Sequence, residues 1–268
     1  MRTDLLLALA AALWLAACGP KGEFEKARLS EKLGRYSTAL SQYESFWKLN
    51  SRDPKAPEAV FRTGQIFLSV IGDPEKARMH FRNVIEWYPQ SPWAKEADLA
   101  IINSPDYFPF ENGVRVMGDS QSGGANAKTV ETLTADKDNP RRLKVKKEIF
   151  AGESKVSGMD LVYEKQDRKL TEKPSGEALI SYPAEKGREW EAQKDGKRVL
   201  MNMESLSENL QVKAGAFASC LKILERDPAH LNFWRVQYYA PGKGLVLVSQ
   251  GSKDRETRIM ELLSWKKN

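Results

Sequence analysis

Few side chains of this sequence are suited to nucleophilic or metal chemistry. The 268-residue chain has two cysteines, Cys18 and Cys220, and two histidines, His80 and His230. Neither histidine has a second ligand at the spacing that a zinc site requires. Cys220 lies in an alternating segment and is interpreted as a small buried hydrophobic residue rather than a reactive thiol. The sequence therefore predicts no metal and no cofactor.

One segment has the composition of a serine hydrolase motif. Residues Gly118 to Gly124 surround Ser120 with glycines and polar side chains. A nucleophile elbow needs glycine two residues before and two residues after the serine, but Ser122 occupies the second position. Neither histidine lies in a context that would supply the base of a catalytic triad. We therefore predict a flexible loop here, no catalytic residue and no enzyme activity.

The N-terminal segment carries the strongest signal in the sequence. Arg2 is followed by an apolar run from Leu5 to Ala17, which is too short to span a bilayer and is typical of a secretory signal peptide. This run ends in Leu15-Ala16-Ala17 and is followed directly by Cys18. Residues 1–17 are therefore predicted to be a signal peptide.

This N-terminal sequence resembles the lipobox of bacterial lipoproteins. The resemblance implies that Cys18 becomes the first residue of the mature chain and carries a covalent lipid, with palmitate among its acyl groups. Residues 18–22 would then be the lipidated tether. Gly19, rather than aspartate, follows the cysteine, which in this family favours the outer membrane, facing the periplasm. The alternative is an ordinary cleaved signal peptide with a chance cysteine.

The composition restricts the partners of the rest of the chain. Charged residues make up 29% of the sequence, the formal net charge is +6, and no second long apolar run predicts a transmembrane helix. A basic chain suits anionic lipid headgroups, acidic glycans or an acidic protein, and nucleic acid is not expected for an exported chain. One basic strand face either binds such a partner or is simply solvated; its residues are Arg142, Lys144 and Lys146.

Residues 23–104 show helical periodicity and an internal repeat. Apolar residues recur at helical spacing, and Gly72-Asp73-Pro74-Glu75 is typical of one helix end followed by a new N-cap. Positions 38 residues apart carry similar residue types: Gly34 and Gly72, Ala39 and Ala77, Tyr43 and Phe81, Pro54 and Pro92, Ala59 and Ala97. The pattern predicts stacked helical hairpins.

This segment resembles tetratricopeptide repeats. The residues that carry the resemblance are Gly64, Phe67, Gly72, Ala77, Phe81 and Pro89. The run from Tyr88 to Ala97 also resembles the repeats of the BamD family of outer-membrane assembly lipoproteins. These resemblances imply a groove that docks envelope proteins, with Tyr36, Tyr43 and Trp47 as candidate partner-binding residues. An unrelated helical bundle is the alternative.

The second half of the chain changes to a strand pattern. Residues 105–112 form a linker with three aromatic residues, which is predicted to pack against a domain. Over residues 113–268 the hydrophobic period is two, and turn signals such as Asp195-Gly196 separate short segments. Ten strands are predicted: Lys128–Ala135, Arg141–Phe150, Met159–Lys165, Ala178–Tyr182, Arg188–Gln193, Arg198–Met203, Ala216–Leu224, Phe233–Tyr239, Leu245–Gln250 and Thr257–Trp265. The fold class is therefore α+β, with a C-terminal antiparallel curved sheet or half-barrel.

The C-terminal part resembles LolA-like envelope β-domains. The residues that carry this resemblance are Ala214-Gly215-Ala216-Phe217, Cys220-Leu221-Lys222-Ile223, Trp234 and the run from Tyr238 to Val246. The resemblance implies a concave sheet face that holds an acyl chain or a peptide.

The sequence as a whole predicts a non-enzymatic, membrane-anchored envelope lipoprotein. In the first hypothesis it is a protein–protein docking adaptor in cell-envelope assembly or maintenance. In the alternative it is a carrier or chaperone whose β domain binds a lipid or a hydrophobic peptide.

Replacing Cys18 with serine tests the predicted anchor. One acyl chain binds membranes only marginally, with an association constant of about 10⁴ M⁻¹, and stable attachment needs two signals. Because serine cannot form the thioether, Cys18→Ser should leave the chain unprocessed or release it from membranes, as measured by fractionation and N-terminal mass spectrometry. Cys220→Ser, which keeps the lipidation site, is the control. A fully processed and membrane-bound Cys18→Ser chain would contradict the assignment.

Overall fold

The computed structural model describes residues 19–102, 104–253 and 255–268. The predicted lipidation residue Cys18 lies outside the described residues. The chain divides into two compact units, the first ending at Ser104 and the second beginning at Pro105. Each unit is described by itself below.

The described part of the first unit is helical. Its five α-helices are α1 (Pro20–Lys32), α2 (Tyr36–Leu49), α3 (Ala56–Ile66), α4 (Pro74–Trp87) and α5 (Pro92–Ile102). A π-helical turn, Phe67–Ile71, extends α3 at its C-terminal end. Each helix packs against the next one along the chain.

Local sequence determines where these helices begin and end. Gly34 and Gly72 follow α1 and the π-helical turn with φ angles of 71° and 73°, a left-handed conformation that glycine adopts without strain. The Asp73 side chain then accepts a hydrogen bond from the backbone N–H of Lys76 at 3.0 Å, and Pro74 is the first helical residue of α4. The predicted helix boundary at this point is therefore present.

The helices enclose two small aromatic cores. Phe24, Tyr43 and Phe46 form the first core, between α1, α2 and α3. The ring centroid of Phe24 is 5.7 Å from that of Tyr43 and 5.5 Å from that of Phe46. The second core joins α3, α4 and α5 and includes Phe61 and Phe81, whose centroids are 5.4 Å apart. Alanines at the helix crossings allow this close approach, as at Ala39 and Ala77, which are fully buried.

The prediction of tetratricopeptide-like hairpins is wrong. Paired positions of the proposed repeat do share burial, since Tyr43 and Phe81 are both fully buried. However, Phe67–Ile71, directly before Gly72, forms the π-helical turn, whose winding is wider than that of an α-helix. The segment is therefore a series of five consecutively packed helices rather than a regular repeated hairpin.

The described part of the second unit is a single antiparallel sheet. Its twelve strands are β1 (Gly113–Asp119), β2 (Ala127–Ala135), β3 (Arg142–Ala151), β4 (Ser154–Gln166), β5 (Lys169–Lys173), β6 (Ala178–Ser181), β7 (Glu189–Lys194), β8 (Lys197–Val212), β9 (Gly215–Arg226), β10 (Phe233–Ala240), β11 (Gly244–Ser252) and β12 (Arg255–Lys267). Consecutive strands pair with each other except β6 and β7, and β1 pairs with β12. The sheet is therefore a meander whose first and last strands are neighbours.

The two edge strands, β6 and β7, approach each other through side chains. The indole N–H of Trp190 in β7 donates to the backbone carbonyl of Ala178 in β6 at 2.7 Å. Lys194 Nζ, at the end of β7, lies 3.9 Å from a carboxylate oxygen of Glu177, which precedes β6. The sheet is therefore nearly closed and barrel-like.

The predicted half-barrel is therefore wrong, although the α+β order of helices and strands is present. The alternation pattern does not identify β1 or β5. Because β1 pairs along its whole length with the C-terminal strand, from Gly113 opposite Lys267 to Asp119 opposite Met260, it joins what would otherwise be two free edges.

In the second unit, an apolar cluster lies on the outer face of the last strands. The Ala214 N–H, in the β8–β9 turn, donates to the Leu262 carbonyl of β12 at 3.0 Å. Arg258 Nη1 of β12 also donates to the Gln211 carbonyl of β8 at 2.8 Å. The end of the β8–β9 hairpin therefore folds onto the sheet, and it buries an apolar cluster that includes Val212, Cys220, Val236 and Leu262.

Gly64, where α3 crosses α4, should not tolerate a side chain. A Cβ atom at Gly64 would lie 2.6 Å from the ring of Phe81, which is fully buried. Gly64→Ala should therefore lower the free energy of unfolding by about 1–3 kcal/mol, the usual cost of overpacking. The measurement is chemical denaturation followed by circular dichroism at the helical band. Gln65→Ala, at the neighbouring exposed position, is the control, and equal effects of the two changes would rule out a tight crossing at Gly64.

Candidate functional site

The helical unit has an open groove between α1 and the C-terminal end of α3. Its volume is about 630 Å³. The α1 side of the groove is basic, and the opposite side is formed by α3 and the π-helical turn; the lining includes Arg28, Lys32, Tyr36, Arg62, Leu68 and Val70. Tyr36 is 37% exposed and Val70 is 46% exposed, so apolar surface faces solvent at this groove.

A network of charged and polar side chains holds the groove in shape. The Tyr43 hydroxyl of α2 donates to Glu31 of α1 at 2.7 Å, and Arg62 Nη1 of α3 lies 3.3 Å from the same carboxylate. Arg62 Nε also donates to Glu58 at 2.9 Å, and Lys55 Nζ donates to the other oxygen of Glu58 at 2.9 Å. Burial, followed by its bond to Glu31, raises the pKa of Tyr43 well above its ordinary value, so the phenol stays a donor. These bonds within the helical unit therefore fix the shape of the groove.

The structure places the three predicted partner-binding residues in different environments. Tyr36 lines the groove. Tyr43 is fully buried beneath it, so Tyr43 is a core residue and not a docking surface. Trp47 is half-buried, and its ring centroid is 5.4 Å from that of Trp87. The helical stripe in the sequence cannot separate these residues, because an aromatic residue on a buried face and one at its margin have the same spacing.

The linker at residues 105–112 packs inside the barrel-like sheet, and we call it the plug. The Phe108 ring centroid is 4.9 Å from that of Tyr163 in β4 and 6.4 Å from that of Tyr239 in β10. The guanidinium carbon of Arg115 in β1 lies 4.9 Å from the centroid of the same ring. These three strands are far apart in the strand order, so the face that carries their side chains is the interior of the sheet.

Buried ion pairs fix the plug and the strands around it. Arg115 donates to Glu131 of β2 at 2.6 Å from Nη2 and 2.7 Å from Nε, and both side chains are buried. Lys165 Nζ of β4 lies 2.8 Å from Asp106 of the plug and 4.7 Å from the centroid of the Phe110 ring. Burial lowers the pKa of Lys165, and Asp106 opposes that shift. The interior at this end of the sheet is therefore filled and its charges are matched.

The loop that contains Ser120 and Ser122 is held in shape by the Asp119 carboxylate. The Asp119 carboxylate accepts the backbone N–H groups of Ser122 at 2.7 Å and Ala127 at 3.0 Å. Its bonds to the Ser122 hydroxyl and to these N–H groups lower the pKa of Asp119 to about 2. These contacts give the Asp119 side chain a structural role in the turn.

The remaining candidate residues also have structural surroundings. Over residues 19–102, 104–253 and 255–268, no group of three or more His, Cys, Asp or Glu side chains is arranged to hold a metal. His80 is buried and stacks on Phe67, and the His230 ring lies 3.0 Å from Asp227. Cys220 is fully buried, and burial raises the pKa of its thiol to about 11.

The basic face of β3 is balanced by nearby carboxylates. Arg142 donates to Glu164 at 2.7 Å and 3.0 Å. The other two cations lie near acids at 3.4 Å and 3.7 Å, Lys144 with Asp136 and Lys146 with Glu148. This pattern favours the interpretation of a solvated face.

Comparisons with known proteins give little further information. No helix in the described part of the chain is long and apolar enough to cross a membrane. A scan of protein-family models and a search of curated proteins found no match. Among solved structures, the chain is similar to a protein from Parabacteroides distasonis described as a “putative lipoprotein”, with 18% identity, a TM-score of 0.38, and coverage of 60% of this chain and 98% of that one. These comparisons support neither the BamD-type nor the LolA-like resemblance.

Removing the central aromatic residue of the plug should destabilise the second unit. Phe108 is 2% exposed and is enclosed by rings and a guanidinium from three strands. Phe108→Ala should lower the free energy of unfolding by about 3–5 kcal/mol, as large-to-small core changes do. Denaturant titration measures this change, and Phe233→Ala, at a position 62% exposed, is the control. A loss below about 1 kcal/mol would show that the plug is not part of the core.

Proposed function

We propose that the chain is a non-enzymatic lipoprotein, anchored through Cys18 to the outer membrane and facing the periplasm, whose helical unit docks a protein partner. The groove beside Tyr36 is the observation that supports this function best. The groove is preformed, open and lined by both apolar and charged side chains.

The chemistry of the groove suits an amphipathic protein segment better than a small molecule. Its apolar surface is shallow: Val70 and the adjacent Ile71 are 46% and 50% exposed. Arg28 and Lys32 lie on the opposite side, one helical turn apart on α1. A partner helix with apolar residues towards Val70 and acidic residues towards Lys32 would complement both sides.

Site-specific photo-crosslinking tests the docking groove. A benzophenone side chain at Tyr36 or Gln65 should crosslink in cells to the same envelope protein, because both positions line the groove. A benzophenone at Met79, which is 50% exposed on α4, is the matched control and should not capture that protein. Lys32→Glu should weaken the crosslink, since it reverses the charge offered to an acidic partner. Equal capture from Met79, or no effect of Lys32→Glu, would contradict the proposal.

The second unit supports a second candidate, a carrier or chaperone for a lipid or a hydrophobic peptide. The plug occupies one end of the sheet interior. A cavity of about 460 Å³ is present near the start of β10, away from the plug. That volume is within the usual range for small-molecule sites.

A further inference from the structure

The cavity near the start of β10, which we call the chamber, opens at the opposite end of the sheet from the plug. Phe233 and Arg235 line the chamber at the first residues of β10, whereas Tyr239 lies beside the plug near its last residue. Arg235, Gln237 and Tyr239 alternate along β10 and share the interior face. A second cavity of about 440 Å³ adjoins the chamber and shares Phe233, Trp234 and Gln250 with it.

Arg235 has unused hydrogen-bonding capacity in the chamber. Its Nε atom is buried and has no hydrogen-bond partner. Glu225 is opposite Arg235 in the β9–β10 ladder. However, Lys194 Nζ donates to both Glu225 oxygens at 2.7 Å, and Gln237 donates to one of them at 3.1 Å. Because this carboxylate already bonds to Lys194 and Gln237, Arg235 remains available for an anionic group.

The chamber is lined by three cations and three acids, and the adjoining cavity adds a fourth cation. Lys197 lines the chamber and Arg255 lines the adjoining cavity. Two further carboxylates line the chamber, Asp195 and Asp227, and the second of these is bonded to His230 at 3.0 Å. Glu177 also interacts with Arg235, and burial raises the pKa of Glu177. The chamber and the adjoining cavity together therefore carry one more cation than acids.

Apolar side chains complete the lining. Phe233, at the mouth, is 62% exposed, and Val199 and Ile259 contribute aliphatic surface. Trp234, which also lines the chamber, is held against Gly251, where a Cβ atom would lie 2.3 Å from the indole. This packing fixes the start of β10 and therefore the direction of its neighbours Phe233 and Arg235.

We propose that the chamber binds an anionic amphiphile. Arg235 donates to the carboxylate or phosphate of the ligand, and Phe233, Val199 and Ile259 contact its hydrocarbon part. The inference rests on the carrier function and is independent of docking at the helical groove, because every lining residue belongs to the second unit.

Calorimetric titration of the full chain in nanodiscs tests this proposal, with empty nanodiscs as the blank. The probes are hexyl phosphate, hexanoate, hexanol and inorganic phosphate. At least one of the two anionic amphiphiles should bind, and hexanol and inorganic phosphate should bind roughly tenfold more weakly or not at all, since a charged hydrogen bond and apolar contact each contribute. The comparison of hexyl phosphate with hexanoate distinguishes a phosphate ligand from a carboxylate ligand.

Three variants assign the contacts. Arg235→Gln should weaken binding of the preferred anionic probe roughly tenfold or more, and Arg235→Lys, which keeps the charge, should weaken it less. Phe233→Ser should weaken binding of the amphiphile without changing the fold, since that side chain is mostly exposed. Arg198→Gln is the matched control, because Arg198 is an exposed residue paired with Glu191 outside the chamber.

Three results would overturn the proposal: no binding of either anionic amphiphile, hexanol binding as tightly as the anions, or unchanged affinity in a folded Arg235→Gln chain. Failure here is distinguishable from failure of the docking function, because Arg235→Gln should leave the crosslink from Tyr36 intact. Circular dichroism of each variant confirms that it is folded. If Arg235→Gln does not fold, the affinity of Arg235→Lys for the preferred anionic probe is the test.

Discussion

A single buried charge constrains the second unit more than any other interaction. Removing a guanidinium from water is costly unless the charge is paired and hydrogen-bonded, and Arg115 meets that condition through two bonds to Glu131 at 2.6 Å and 2.7 Å. The same group packs on the Phe108 ring. A Cβ atom at Gly244 would lie 2.5 Å from Arg115 Nη1, so the start of β11 depends on it as well. The positions of β1, β2, β11 and the plug are therefore linked through one side chain.

The two arginines of the sheet interior differ in how completely they are paired. Arg115 is surrounded by the Glu131 carboxylate, an aromatic ring and neighbouring strands. Burial by itself would lower the pKa of Arg115, but Glu131 raises it above the ordinary value. Arg235 faces a carboxylate that Lys194 and Gln237 already occupy. The same residue type thus stabilises the sheet at the plugged end, and at the other end it is left able to bind an anion.

The sequence predicts local features well and long-range closure poorly. The break at Gly72 to Pro74 and most strands follow from propensity and alternation. Strand β1 is missed because Arg115 lies at a position where alternation suggests an exposed residue, and its partner Glu131 is distant in sequence. Strand β5 is missed because it has five residues, of which only Leu170 is fully buried. The pairing of β1 with β12, which turns the predicted half-barrel into a nearly closed sheet, has no local signal.

The candidate sites show the same division between local and long-range information. Tyr36 lines the groove, but Tyr43, seven residues later on the same helix, is buried. Nothing in the local sequence around Arg235 marks it as a site residue. Its availability depends on Lys194, from another hairpin, binding the carboxylate opposite it. The site exists because Lys194 and Gln237, rather than Arg235, bond to Glu225. The register of β7 to β10 brings these residues together, and the local sequence does not reveal that register.

The same physical feature that breaks the helical repeat also forms the groove. In a regular α-helix the residues after Ile66 would continue the buried stripe of α3, where Ile66 is 2% exposed. The π-helical winding of Phe67–Ile71 shifts that stripe, so Val70 and Ile71 point towards solvent. The Ser69 hydroxyl bonds to the Gln65 carbonyl at 2.7 Å and satisfies a backbone acceptor at the change in winding. Single π-helical turns inside α-helices occur frequently at functional sites, and the proposed docking groove lies beside this one.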